Sequence, residues 1–237
     1  LISKHDVTRV VLIQHHKFYG FDNRYMTDAT ALHPSRFRVV GMVDQSSPSV
    51  AADMEELLTQ GVTGFRIAPQ QDDIDTWLQD PGYEAMFKAA AKTGQAICPL
   101  THPPGVPDLD RMCGEHPDTT VVIDHMTRIG ELKPINDADI DRLCALARHP
   151  KVHVKVSRFH SLGAKKPPHD DLAPMIRRVV EAFGPERLMW GSDSPYQVVS
   201  ESYEDSISLV RDGLDFLSDT DRRHILNDTA ERVFFFK

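Results

Sequence analysis

The chain has 237 residues, enough to bury one large hydrophobic core. Its net charge of -8 argues against a nucleic-acid binder, which needs basic surface to displace counterions from phosphates, but leaves room for a basic pocket inside an acidic protein. No apolar run is long enough to span a membrane, and Cys98, Cys113 and Cys144 show neither CxxC spacing nor a disulfide pattern, so a reducing cytoplasm is the expected location.

The opening Leu1-Ile2-Ser3-Lys4 has neither the pattern of a secretory leader nor a starting methionine, so the chain is read as continuing upstream. Short β-rich runs then alternate with amphipathic helical runs. The first strand is expected at Val10–Gln14, followed by a helix from Asn23 to Leu32 with Asp22 as its N-cap. A strand over Arg38–Val43 precedes a helix whose apolar face is Val50, Met54, Leu57 and Leu58, with Gly61 at the C-cap. Gly64–Ile67 is a third strand. A helix with Tyr83, Met86, Phe87, Ala90 and Ala91 on one face ends at Gly94, before a fourth strand at Ala96–Leu100. Val121–Asp124 is the fifth strand, and Ile140, Leu143, Cys144 and Ala147 stripe the helix after it. Val152–Val156 is the sixth. The helix striped by Leu172, Met175, Ile176, Val179 and Val180 stops at Gly184-Pro185, and Leu188–Ser192 is the seventh strand. Two helices, Ile207–Leu217 and Asp219–Phe234, close the chain.

Strands separated by helices imply a parallel sheet with crossover connections. A doubly wound open sheet is the rival of a barrel. No G-x-G-x-x-G opens a helix, and chemically capable residues recur at the C-terminal ends of the strands, where barrels build their sites. The expected fold is therefore an α/β, (β/α)8 TIM barrel in a single domain over residues 1–237.

Read in order, the strand ends offer Gln14-His15-His16, Asp44, Arg66, Thr101-His102, Asp124-His125, Lys155 with Ser157, and Asp193. Alternation along a strand puts His153, Lys155 and Ser157 on the barrel-facing parity, and Met189, Gly191 and Asp193 on one face of the last strand. Imidazole and carboxylate at such a mouth are ligand types that zinc uses. The competing readings are structural: Asp193 as the cap of the following helix, His15-His16 as a solvated loop, and Lys155 as the partner of a neighbouring carboxylate.

Val122-Ile123-Asp124-His125-Met126, Val154-Lys155-Val156-Ser157 and Leu188-Met189-Trp190-Gly191-Ser192-Asp193-Ser194-Pro195 closely resemble the amidohydrolase-2 family, in its branch of 2-pyrone-4,6-dicarboxylate lactonase and sugar lactonases. Gln14 with Tyr19-Gly20-Phe21-Asp22-Asn23-Arg24-Tyr25 is similar to the loop after that branch's second strand, and Ile225–Phe234 to its closing helix. The resemblance makes the Val10–Gln14 strand the second of the barrel, with the first strand missing from this chain. It implies lactone or amide hydrolysis, with a metal-dependent decarboxylase or a truncated, inactive relative as the alternatives. It places His102, His125 and Asp193 on three of the superfamily's metal-ligand positions. The superfamily's His-x-His pair has no counterpart here, and some members of the branch work without a metal, so one divalent metal, zinc by its ligand types, and a metal-free site both stand open.

On this reading Asp193 is the general base, and His125 either ligates the metal or donates to the oxyanion. Arg66, Lys155 and Arg158 are expected to hold substrate carboxylates, with Tyr19 and Asn23 lining the pocket. The expected partner is a small anionic molecule; no nucleic acid or membrane is expected, and self-association stands open.

Overall fold

The structure is a computed structural model that describes residues 4–69 and 74–236; Leu1–Ser3, at the opening discussed above, lie outside the described residues. Seven strands form one sheet in the order β1-β2-β3-β4-β5-β6-β7, each parallel to its neighbour. They span Val10–Ile13 (β1), Phe37–Gly41 (β2), Val62–Ile67 (β3), Ala96–Pro99 (β4), Val121–Ile123 (β5), Val152–Ser157 (β6) and Leu188–Gly191 (β7). The helices are α1 (His16–Tyr19), α2 (Arg24–Leu32), α3 (Val50–Thr59), α4 (Pro81–Thr93), α5 (Val106–Glu115), α6 (Asp137–Ala145), α7 (Ala173–Phe183), α8 (Tyr203–Ser208), α9 (Asp219–Arg223) and α10 (Thr229–Phe234).

Most of the apolar core lies between the sheet and its helices: Val39, Phe65, Ile97, Ile123, Val154, Val156 and Leu188 meet Met54, Phe87, Leu109, Leu143, Ile176 and Val179. The opposite parity faces inward. There Val40, Ala96, Cys98, Val122 and Met189 pack on Val233 and Phe234 of α10. The closing helix thus plugs the interior from the strands' N-terminal end. Thr229 donates to the Glu186 carbonyl just before β7, and the Arg9 and Arg38 guanidiniums each stand 5.1 Å from the Phe235 ring. Gly64 of β3 lets the plug in: a Cβ there would lie 3.3 Å from the Phe234 ring and 3.1 Å from the Ala96 carbonyl.

The sheet is open between β1 and β7, as expected for a barrel wall one strand short. All of β1 is only partly buried, as are Trp190 and Gly191 of β7. Side chains bridge the opening. The Tyr196 hydroxyl meets His15 Nε2 at 2.9 Å, and His5 packs on Tyr203 and pairs with Glu204.

Some local expectations change. Asp22 is not the N-cap of α2; Asn23 occupies that position, and the Asp22 carboxylate accepts from the Arg24 amide and pairs with its guanidinium. Helix α5 had no place in the sequence reading. Its buried Val106, Leu109, Met112 and Cys113 have helical spacing, but Pro103-Pro104-Gly105 immediately before it reads as a loop.

Candidate active site

Three strands leave the sheet through non-glycine residues in the left-handed region. After β5, His125, Met126, Thr127 and Arg128 all have φ between 50° and 57°; after β6, Arg158 has φ 67°; after β7, Asp193 has φ 58°. An L-residue in this region is strained by about 1–2 kcal/mol. Burial of Met126 and Thr127 holds the first of these turns in place. The turns carry His125, Arg128, Arg158 and Asp193 over the C-terminal mouth of the barrel.

Beneath the mouth lies a buried ion triad. Asp124 is fully buried; its Oδ2 accepts from Arg66 Nε and Nη2 at 3.1 and 2.8 Å, and its Oδ1 lies 2.7 Å from Lys155 Nζ. Burial pushes the Asp124 carboxyl up, but Arg66, Lys155 and His125 outweigh it and hold the group well below the usual carboxylate range. The cations expected to grip a substrate, Arg66 and Lys155, are therefore committed to a protein carboxylate. For Lys155 the structural alternative is realised.

At the mouth, His125 is buried, and its Nδ1 shares a hydrogen bond with Ser157 Oγ at 2.8 Å. Burial lowers its basicity well below the usual histidine value, and Arg66, Lys155 and Arg158 act in the same direction against Asp124. It is a neutral imidazole at neutral pH. When Ser157 donates to Nδ1, Nε2 carries the proton and can donate to an oxygen above it.

The Asp193 carboxylate lies 3.6 Å from that Nε2, 2.9 Å from Arg158 Nη1 and 3.7 Å from His160 Nε2. These contacts are with site side chains rather than backbone amides of a following helix, so the capping alternative does not describe it. Its pKa is raised by burial, against the pull of Arg158, His160 and Arg66. Behind His160, His169 and Glu201 form a buried pair at 2.6 Å.

Other expected members are placed differently. Asn23 lines a cleft with Asp22, Arg24 and Asp44 that does not include His125 or Asp193, and its amide donates to the Met42 carbonyl at 2.8 Å and accepts from the Met42 amide at 2.9 Å, fastening α2 to the end of β2. Tyr19 lies on the outer rim, stacked on Tyr25 with ring centroids 5.7 Å apart. His102 does not join His125 and Asp193; its neighbours are Arg128 at 3.3 Å and Glu131 at 3.8 Å. Arg128, Glu131 and His160 escaped the sequence reading. The available signal was the three-residue spacing of His125, Arg128 and Glu131, which one turn brings to the same side.

A parallel barrel wall with a buried carboxylate, a neutral imidazole and guanidinium groups at its mouth has the parts of a barrel hydrolase. The chain belongs to the amidohydrolase family, whose sequence profile matches residues 1–236. It is 31% identical over 211 residues to an L-fucono-1,5-lactonase of Burkholderia ambifaria, covering 86% of this chain and 71% of that protein. It is 30% identical over 201 residues to a 2-pyrone-4,6-dicarboxylate hydrolase of Comamonas testosteroni, covering 81% of this chain and 64% of the relative. The fold matches an amidohydrolase of Burkholderia multivorans crystallised with bound zinc, with a TM-score of 0.81 at 22% identity, over 100% of this chain and 86% of that one.

The zinc of that structure raises the question of fit. His125 and Asp193 supply two ligand types, but Arg158 already engages the carboxylate, and Arg66 and Arg128 add positive charge that opposes a cation. Among the described residues no group of three or more His, Cys, Asp or Glu is arranged to hold a metal ion. The residues described do not fit a metal as they stand. Among the described residues, no helix is long and apolar enough to cross a membrane.

Proposed function

We propose that this protein hydrolyses the ester bond of a small lactone bearing a carboxylate. The observation that carries the reading is the meeting of Asp193, a carboxylate made more basic by burial, with the neutral imidazole of His125 at 3.6 Å, beside Arg128 and Arg158. The names of the two curated relatives, an L-fucono-1,5-lactonase and a 2-pyrone-4,6-dicarboxylate hydrolase, support it.

In this mechanism Asp193 takes a proton from water as the oxygen bonds to the lactone carbonyl carbon. The carbonyl π pair moves onto oxygen, and the developing anion accepts from His125 Nε2–H and faces Arg158, in surroundings where burial strengthens both interactions. Collapse restores the carbonyl and breaks the ring C–O bond. The proton held on Asp193 passes to the departing alkoxide, leaving an open hydroxy acid. Arg128, with its side chain 23% exposed, is the cation that can reach a substrate carboxylate; Arg158, held by Asp193 and Glu131, faces the developing anion, and Arg66 and Lys155 act from below as a fixed positive field around Asp124.

The test is a panel of lactones with and without a carboxylate, followed by acid release. The expected result is hydrolysis with a higher kcat/KM for carboxylated members. No turnover of any lactone by folded protein refutes the hydrolytic reading, and equal or better turnover of uncharged members refutes the charge preference.

A further inference from the structure

One carboxylate at the mouth belongs neither to the buried triad nor to the proposed base. Glu131 follows the strained turn of β5 and folds back over it. Its Oε1 accepts from Arg158 Nη2 at 2.8 Å and Nε at 3.3 Å, a charge-assisted pairing in which two guanidinium donors meet one carboxylate oxygen. Its Oε2 faces Arg128 Nε at 3.6 Å and His102 Nε2 at 3.8 Å, and its side chain is only 15% exposed. Burial pushes the carboxyl up, but Arg158, Arg128 and His102 together hold it below its ordinary value, so it is an anion at neutral pH. The Glu131 carboxylate therefore sits where a carboxylate of a ligand would otherwise sit.

Charge at the mouth then limits what can enter. Arg66, Arg128, Lys155 and Arg158 face Asp124, Glu131 and Asp193, an excess of one positive charge. Arg66 and Lys155 are held by Asp124, and Arg158 is shared between Asp193 and Glu131. Arg128 faces Glu131 through Nε and His102 through Nη1, and its 23% exposed side chain leaves the outer edge of the guanidinium for a ligand. One substrate carboxylate can be matched there. A second would meet Glu131 and bring two like charges together in a poorly solvated place, which is costly.

We infer that Glu131 is a specificity-determining residue, a built-in carboxylate that fills a second anion seat and restricts the site to ligands carrying no more than one carboxylate. The inference rests on the lactonase reading for its meaning in catalysis, but not for its test. The probes are two inert aromatic acids, pyridine-4-carboxylate and pyridine-2,4-dicarboxylate, titrated calorimetrically into the protein and into its Glu131→Ala and Glu131→Gln variants. The wild-type protein is expected to gain nothing from the second carboxylate. Glu131→Ala vacates the seat and should improve binding of the dicarboxylate relative to the monocarboxylate by about tenfold or more, the scale of one charge-assisted hydrogen bond. Glu131→Gln removes charge but keeps bulk and should fall between. Acetate, by refilling the vacated seat, should compete with the dicarboxylate more strongly in Glu131→Ala than in the wild type.

An unchanged ratio in both folded variants, with only a loss of thermal stability, overturns the inference and makes Glu131 a structural strut. A wild-type protein that already favours the dicarboxylate overturns it too, as does failure of all three proteins to bind either acid. Should Glu131→Ala not fold, the Gln variant decides alone. Failure of lactone hydrolysis with the binding ratio as expected would refute the lactonase reading and leave the role of Glu131 standing.

Discussion

Asp193→Asn tests the mechanism most directly. The amide keeps the shape of the side chain and an oxygen that can still accept from Arg158 Nη1, now 2.9 Å from Oδ2. It cannot take the proton of the attacking water. Loss of a general base costs about 100-fold to 10,000-fold in rate, or about 3–5 kcal/mol on the barrier. Folding should survive for a reason visible in the site. Burial disfavours the charged form of Asp193 more than Arg158, His160 and Arg66 favour it, so its pKa in the folded protein is raised from 3.8. The linked stability penalty is absent below that ordinary value, grows as pH rises through the raised folded value, and is complete above it. The Asn variant escapes this penalty, so its stability relative to wild type should improve from acid to neutral pH. Initial rates of acid release give kcat and KM, and thermal unfolding at several pH values gives stability. A folded Asp193→Asn protein with near-normal turnover would falsify the assignment of Asp193 as the base.

Three further outcomes follow from the same contacts. Asp124→Asn leaves Arg66 and Lys155 buried around a neutral amide and should destabilise the protein by about 3–5 kcal/mol, read from urea unfolding; a loss within about 0.5 kcal/mol contradicts the buried triad. The acid limb of kcat/KM should lie above the ordinary aspartate range because the pKa of Asp193 is raised, and Arg158→Gln, by removing a cation that lowers it, should move the limb further up; a downward move contradicts the arrangement. Dialysis against a chelator should leave lactone hydrolysis intact, since the described donors do not fit a metal; stoichiometric zinc lost together with activity would show that they do.

Much of the architecture was legible in the sequence because the signals behind it are local. The period of two in Val152–Ser157 and the helical stripes of Met54, Ile176 and Val179 fix which face of each element is apolar, and the structure buries those faces. Parity also placed His153, Lys155 and Ser157 on one side of β6, and the ends of β5 and β7 directed attention to His125 and Asp193, which the structure brings within 3.6 Å. The base pairing of function to residue stopped there. Arg66 reads as a free cation, and Lys155 takes a carboxylate partner only as an alternative, because nothing along the chain reveals that Asp124 lies between them.

That pairing depends on three strands reaching the same depth of the wall, which is set by sheet register and closure. The spending of Asn23 on the Met42 backbone likewise depends on how α2 docks against the end of β2. The left-handed turns at His125–Arg128, Arg158 and Asp193 lie furthest from sequence reasoning, because no glycine marks them. Local preference opposes those conformations, and only surrounding packing holds them. They decide the site: they bring Arg128, Arg158 and Glu131 together, and so set the charge that the mouth can accept. The sequence by itself determined the strands, most of the helices and the residues at the strand ends, through periodicities that each segment carries alone. The tertiary structure decided which of those residues neutralise one another and which remain to meet a substrate, because charge pairing across a barrel is a property of distances between segments far apart in the chain.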